Sequence, residues 1–295
     1  MEFKHEFLQR YSKLTDIDEF IKICHIPLRK SLRANTLKTS IDEVKKRFDL
    51  TQVPWCKEGF FIKGYAIGNT KEHFLGYIYI QEAASMIPPI VLEPKKHEVI
   101  LDMCSSPGSK TTQIAAMMEN KGIIVANENS YQRIKPLEMN LERLGISNTV
   151  ITLMNGSWFK QGFDKILVDA PCSGMGAIRK SPSTPLMWNP NFIKKLARTQ
   201  KRLLETAFNC LKEKGTLVYS TCTLEPEENE EVVDYILEKY PNARLEKINL
   251  KIKKSEPVLK FNNKEYHKEI ENCLRIFPQD NDTEGFFVAK ITKRI

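Results

Sequence analysis

No stretch of the 295-residue chain approaches the roughly 18 consecutive apolar residues that a membrane-spanning helix needs. The opening Met1-Glu2-Phe3-Lys4-His5-Glu6 carries acids where a secretory leader would be apolar, so no signal peptide is expected. The seven cysteines are odd in number and none stands in a Cys-x-x-Cys pair, which excludes a disulfide scaffold and a zinc-site spacing. Reduced thiols, a cytoplasmic location and no metal are therefore expected. Glycine is scarce at 13 residues, and no Gly-x-Gly-x-x-Gly run is present to cradle a pyrophosphate. Repeats and low-complexity tracts are also lacking. With 41% hydrophobic and 28% charged residues, the composition is that of a globular chain with one large domain or two modest ones.

Acidic residues are missing from one segment. Residues 179–202 hold Arg179, Lys180, Lys194, Lys195, Arg198, Lys201 and Arg202 without a single acid, in a chain of net charge +8. A solvated helix face accounts for such a run about as well as a ligand does. Its aromatic company, Trp188 and Phe192, tilts the reading toward a polyanionic partner.

The chain divides into two patterns. Residues 1–90 read as a small α+β module. Two short helices lie within 5–25, a strand at 31–37, a helix at 40–48 capped by Ser40, and short strand pieces between 53 and 80. Pro88-Pro89 and Pro94 interrupt the pattern and mark a boundary. Residues 91–295 alternate apolar strands with helices, as in a mostly parallel, doubly wound α/β sheet. A last strand at 285–291 is expected at one side, antiparallel. The fold class is thus α/β and Rossmann-like, with an N-terminal α+β module.

Sheets of this kind bind ligands outside the carboxyl ends of their strands. One strand ends in Asp102-Met103-Cys104-Ser105-Ser106-Pro107-Gly108-Ser109-Lys110, and the next ends in Glu128. An acid at that offset holds ribose hydroxyls, so a nucleoside cofactor is implied. Two acids near the site disfavour a pyrophosphate, and a cationic cofactor such as S-adenosylmethionine fits better. Two further strands end in thiols, one at Asp169-Ala170-Pro171-Cys172 and one at Thr221-Cys222. A lone cysteine is most often a small buried hydrophobe. Two at corresponding strand ends suggest a shared crevice. The glutamates at 225, 227, 228, 230 and 231 read as complements to a helix dipole.

Asp102 to Lys110, Asp169-Ala170-Pro171-Cys172-Ser173-Gly174 and Tyr219 to Glu225 together resemble three motifs of the NOL1/NOP2/Sun family of RNA cytosine-5 methyltransferases. Arg33 to Leu37, Gln81 to Met86, and Arg275 through Phe287 resemble further family segments. The resemblance covers residues 30–295 and is closest to the compact archaeal tRNA enzymes. It implies a class I methyltransferase fold, S-adenosylmethionine as cofactor, an RNA substrate with tRNA favoured over rRNA, and a monomer. A noncatalytic RNA-binding protein would have no need of the paired thiols. By the same resemblance Cys222 is the nucleophile, Cys172 assists release, and Asp169 contacts the base. DNA cytosine-5 enzymes use the cysteine of a Pro-Cys motif instead, which leaves the opposite assignment as a competitor. Cofactor contacts carry over to Cys104, Ser105, Ser106, Pro107, Gly108, Ser109, Lys110, Glu128, Arg133 and Asp169. The family's Ala-Ala-Pro-Gly-Gly-Lys is here Ser105 to Lys110, so a differently shaped loop is expected at Ser109.

Overall fold

A computed structural model describes residues 2–64 and 66–294. Helices α1 (His5–Tyr11) and α2 (Ile17–Cys24) open the chain, the second capped by Asp16, whose carboxylate accepts from the backbone of Asp18 and Glu19. A four-stranded antiparallel sheet follows, in the order β2-β3-β1-β4, from β1 (Lys30–Ala34), β2 (Leu50–Gln52), β3 (Gly59–Ile62) and β4 (Ile78–Ile80). Helix α3 (Ile41–Arg47) crosses from β1 to β2, with Ser40 accepting from Glu43 at its start, and a short α4 (Lys71–Phe74) precedes β4.

The expected interruption at Pro88-Pro89 is instead the first turn of a helix, α5 (Ile87–Leu92). Proline there gives up only an N–H that has no helical partner, so the pair starts the helix rather than breaking the chain.

The larger sheet runs β10-β14-β9-β8-β5-β6-β7. Its parallel part comprises β5 (Val99–Asp102), β6 (Ile123–Glu128), β7 (Thr149–Leu153), β8 (Phe163–Asp169) and β9 (Leu211–Thr221). Helices α6 (Ser109–Met117), α7 (Tyr131–Leu144), α8 (Pro190–Cys210) and α9 (Glu230–Lys239) cover it. After β10 (Ala243–Glu246) come a small hairpin, β11 (Lys260–Phe261) with β12 (Lys264–Glu265), then β13 (Leu274–Ile276), α10 (Pro278–Asn281) and β14 (Phe286–Lys293). Strand β14 is antiparallel, as expected, but it lies between β9 and β10 and also pairs with β13. Chain order reverses between β5 and β8, and the crevice above that point receives the loops after β5, β6, β8 and β9.

The two sheets are tied by buried polar side chains. Arg33 of β1 donates from Nε to Gln81 at 2.8 Å and from Nη2 to Thr112 of α6 at 2.9 Å. Asn35 donates to the carbonyls of Gly76 and Leu144. Helices α1 and α2 pack elsewhere. Phe7, Tyr11 and Phe20 form an apolar cluster with Ile178, Trp188, Leu224 and Phe277 of the larger unit.

Candidate active site

Strands β8 and β9 run parallel with Asp169 opposite Ser220, so the residues just beyond them emerge side by side. This register brings the sulfurs of Cys172 and Cys222 to 3.3 Å. The Cys172 thiol is pushed well above its ordinary value by that contact, by burial and by the nearby charges of Cys222 and Glu228. Either sulfur can be the donor in this contact. Glu228 holds the Cys172 loop: it accepts from the backbone N–H of Ser173 at 2.9 Å, from the Ser173 hydroxyl, and from Gln200 at 2.8 Å.

Lys110 is no surface lysine; it is 7% exposed. Its Nζ meets Asp169 Oδ2 at 2.7 Å and donates to Ser85 Oγ at 3.0 Å. Burial works against its charge, but Asp169 outweighs that and raises the Lys110 pKa, with Cys222 adding to the effect. The ammonium thus stands within electrostatic reach of the Cys222 sulfur. Ser220 donates to the other Asp169 oxygen at 2.8 Å.

Lys110, Asp169 and Cys222 share a cleft of about 300 Å³ with Cys104, Ser105, Ser106, Pro107 and Ser109. Ser105 and Ser106 spend their hydroxyls on the carbonyls of Asn127 and Arg133, so they shape the loop. Arg133 returns a bond to the Ser106 carbonyl at 2.7 Å, which makes it a loop tie as well. The left-handed backbone needed to enter α6 falls on Gly108, at φ +100°, while Ser109 is already helical. Ser109 thus needs no left-handed backbone in this chain.

Two carboxylates at this end carry uncommitted oxygens. Asp102 accepts from Thr111 at 2.7 Å through Oδ2, while its buried Oδ1 has no partner among the described residues. Burial pushes the Asp102 carboxyl up to about 7. Glu128 accepts from the backbone N–H groups of Asn129 and Ser130 through Oε1. Its Oε2 is buried and makes no hydrogen bond, with Arg133 at 3.4 Å as a loose ion pair. Orphaned acceptors beside an acidic loop suit a ligand bearing hydroxyls and positive charge, and they repel phosphate.

The family description "16S rRNA methyltransferase RsmB/F" matches residues 89–292, and "N-terminal domain of 16S rRNA methyltransferase RsmF" matches residues 3–83. The chain belongs to the RsmB/F (NOL1/NOP2/Sun) methyltransferase family. It is 47% identical to a Pyrococcus abyssi tRNA (cytosine(49)-C(5))-methyltransferase, over 99% of both chains. It is 45% identical to the ribosomal RNA small subunit methyltransferase F of Vibrio cholerae over 95% of its own length, and spans 60% of that relative. Among solved structures it is similar to a methyltransferase homologue from Pyrococcus horikoshii, with a TM-score of 0.84 at 37% identity, covering 95% of this chain and 90% of that one. It is also similar to NSun6 from the same organism, solved with SFG, with a TM-score of 0.86 at 26% identity, covering 99% and 98%. As a member of the family the chain is an RNA cytosine-C5 methyltransferase with S-adenosylmethionine as cofactor.

Within the RsmB/F fold several expected roles change. Arg179 is buried, and it donates to the carbonyls of Ile26, Pro27 and Thr283 and to Asp282. Trp188 is buried too, with its indole N–H on Glu225 at 2.9 Å. Neither faces an RNA. The glutamates after Cys222 are mostly not dipole complements. Glu225 receives Arg10, Tyr11 and Trp188, and Glu230 pairs with Arg275 at 2.5 Å in full burial. Sequence reasoning missed Glu82, Lys180, Glu284 and Phe286 as cleft residues. The family segments containing Glu82 and Phe286 were visible, but nothing local gave either residue a task.

Proposed function

We propose that the chain methylates C5 of a cytosine in tRNA through a covalent bond from Cys222 to C6. The observation that carries the reading is the thiol pair, with Cys172 3.3 Å from Cys222, whose cleft also presents Lys110 and Asp169. C5 of cytosine is a poor nucleophile, and addition of a thiolate at C6 turns it into an enamine carbon. The Lys110 ammonium lies close enough to act electrostatically on the attacking Cys222 sulfur. Asp169, held by Lys110 and Ser220, lies near N3 of the base, and the Lys110 ammonium it positions offsets the negative charge that develops in the ring. S-adenosylmethionine supplies the electrophilic methyl group. Asp102 and Glu128 offer acceptors to it, and the Cys104–Lys110 loop walls it in. A base must then take the C5 proton, so that the electron pair of that bond restores the ring double bond and the Cys222 sulfur leaves; Cys172, in contact with that sulfur, assists the release.

Identity of 47% to a tRNA enzyme over 99% of both chains supports tRNA. Residues 1–90 serve RNA recognition and residues 91–295 catalysis, in a cytoplasmic monomer that needs no metal. Denaturing electrophoresis of Cys222→Ser and Cys172→Ser variants mixed with tRNA and cofactor tests the roles. The Cys172 variant is expected to accumulate a protein–RNA adduct, and the Cys222 variant to form neither adduct nor product. An adduct from the Cys222 variant alone would reverse the two cysteines. Methyl transfer to 16S rRNA and not to tRNA would replace the substrate.

A further inference from the structure

Among the acids of the cleft, most oxygens are already spoken for. Asp169 is bound at both oxygens by Lys110 and Ser220. Glu82 accepts from the backbone N–H groups of Ala84, Ser85 and Glu284. Two cleft acids keep a buried oxygen without a partner among the described residues, Asp102 and Glu284. Asp102 lies at the β5 end with the cofactor loop. Glu284 lies toward the opposite end, where the cleft passes into a second groove of about 420 Å³; Ile80, Glu82, Lys180 and Glu284 line both. That groove is formed with the N-terminal module, the side from which RNA would come.

The backbone fixes Glu284 beside the reactive sulfur. Strand β14 pairs with β9 with Phe287 opposite Thr221, so the residues preceding Phe287 run back alongside Cys222. Gly176 is wedged between them. Its N–H donates to the Cys222 carbonyl at 2.8 Å, and its carbonyl accepts from Gly285 at 2.9 Å. A Cβ at Gly176 would stand 2.2 Å from the Gly285 oxygen and 2.8 Å from that of Cys222, so only glycine permits this approach. Glu82 then pins the Glu284 backbone from the other side.

We infer that Glu284 is the residue that distinguishes cytosine from uracil, its carboxylate accepting from the exocyclic amine at C4 of the target base. The inference rests on the cytosine reading above. Cytosine offers a donor at that position and uracil an acceptor. A buried acceptor left unpaired by the wrong base penalises it strongly, which is how polar sites reject close analogues.

The test uses the full chain with cofactor and tRNA transcripts carrying 5-fluorocytidine or 5-fluorouridine, since fluorine at C5 blocks release and leaves a countable adduct. The wild type is expected to trap the fluorocytidine RNA alone. Glu284→Gln, whose amide can donate to a C4 oxygen, is expected to lower the cytosine-to-uracil trapping ratio by about tenfold or more. An unchanged ratio, with both rates intact or both reduced together, overturns the inference while leaving the cytosine chemistry standing. Wild-type protein that traps neither RNA sinks that chemistry and the inference with it. If the Gln variant does not fold, Glu284→Asp decides. Its shortened carboxylate should trap fluorocytidine at least about tenfold less and still refuse fluorouridine; undiminished trapping rejects the role.

Discussion

Glu128 shows how a single side chain can be both satisfied and waiting. One oxygen closes the turn after β6 on the N–H groups of Asn129 and Ser130, and the other has no hydrogen bond at 2% residue exposure. Leaving such an acceptor dry costs free energy in the unliganded protein, and a ribose hydroxyl would remove that cost. Glu128→Ala is therefore expected to weaken S-adenosylmethionine binding about tenfold or more, the worth of a charged hydrogen bond of roughly 1.5–3 kcal/mol. Calorimetry without RNA measures it, and an unaltered dissociation constant would remove Glu128 from the cofactor site. The motifs of the two thiols were legible in the sequence, but their 3.3 Å approach arises from the β8–β9 register, and the Cys172 loop is held by Glu228, which no motif encodes.

Helix α8 splits the basic run into parts with different duties. Its apolar positions, Ile193, Ala197 and Leu204 among them, are buried, and Lys194, Lys195, Arg198 and Arg202 stand exposed on the outer side. Lys201 pairs with Glu231 at 2.8 Å. Replacing Lys194, Lys195 and Arg198 by Glu should weaken RNA binding and flatten its salt dependence, with cofactor affinity unchanged. RNA affinity unmoved at every salt concentration would return α8 to a merely solvated face. Elements set by local periodicity were legible: α1 and α2 fall within 5–25, and α3 begins at Ser40, which caps it as its residue type suggests. The place of β14 was not, because alternating apolar residues fix a strand's faces and leave its neighbours open. Pro88-Pro89 misled because proline has opposite meanings at a helix start and within one.

At the scale of the molecule, the α1–α2 segment behaves as part of the catalytic body. Phe7 is fully buried, stacked on Tyr11 with ring centroids 3.9 Å apart and edge-on to Trp188 at 6.0 Å. Phe7→Ala should cost about 3 kcal/mol or more of stability in urea denaturation, the usual range for emptying an aromatic site. Little loss would mean that the helices rest on the surface without supporting it. Buried carboxyls add a pH dependence. Burial raises Glu82 from 4.5 to about 8, Asp102 from 3.8 to about 7 and Glu228 from 4.5 to about 7. Between those limits the folded protein binds more protons than the unfolded chain, so its stability must fall as pH rises through the window. Thermal melts of the cofactor-free protein should show a lower midpoint at about pH 8.5 than at about pH 6, and the reverse order would contradict the burial of these groups.

Arg10 meets Glu225 across 215 positions of sequence, and Thr15 receives Gln279 across 264. During translation at roughly 5–20 residues per second, α1 and α2 would leave the ribosome well before the surface they seat on has been made. Their apolar faces stay uncovered through that interval, and the contacts that close the structure are among its least local, which slows folding. A growing chain of this protein therefore presents Phe7, Tyr11 and Phe20 to whatever holds nascent polypeptides, and their seat is whole only after Phe277 has been made.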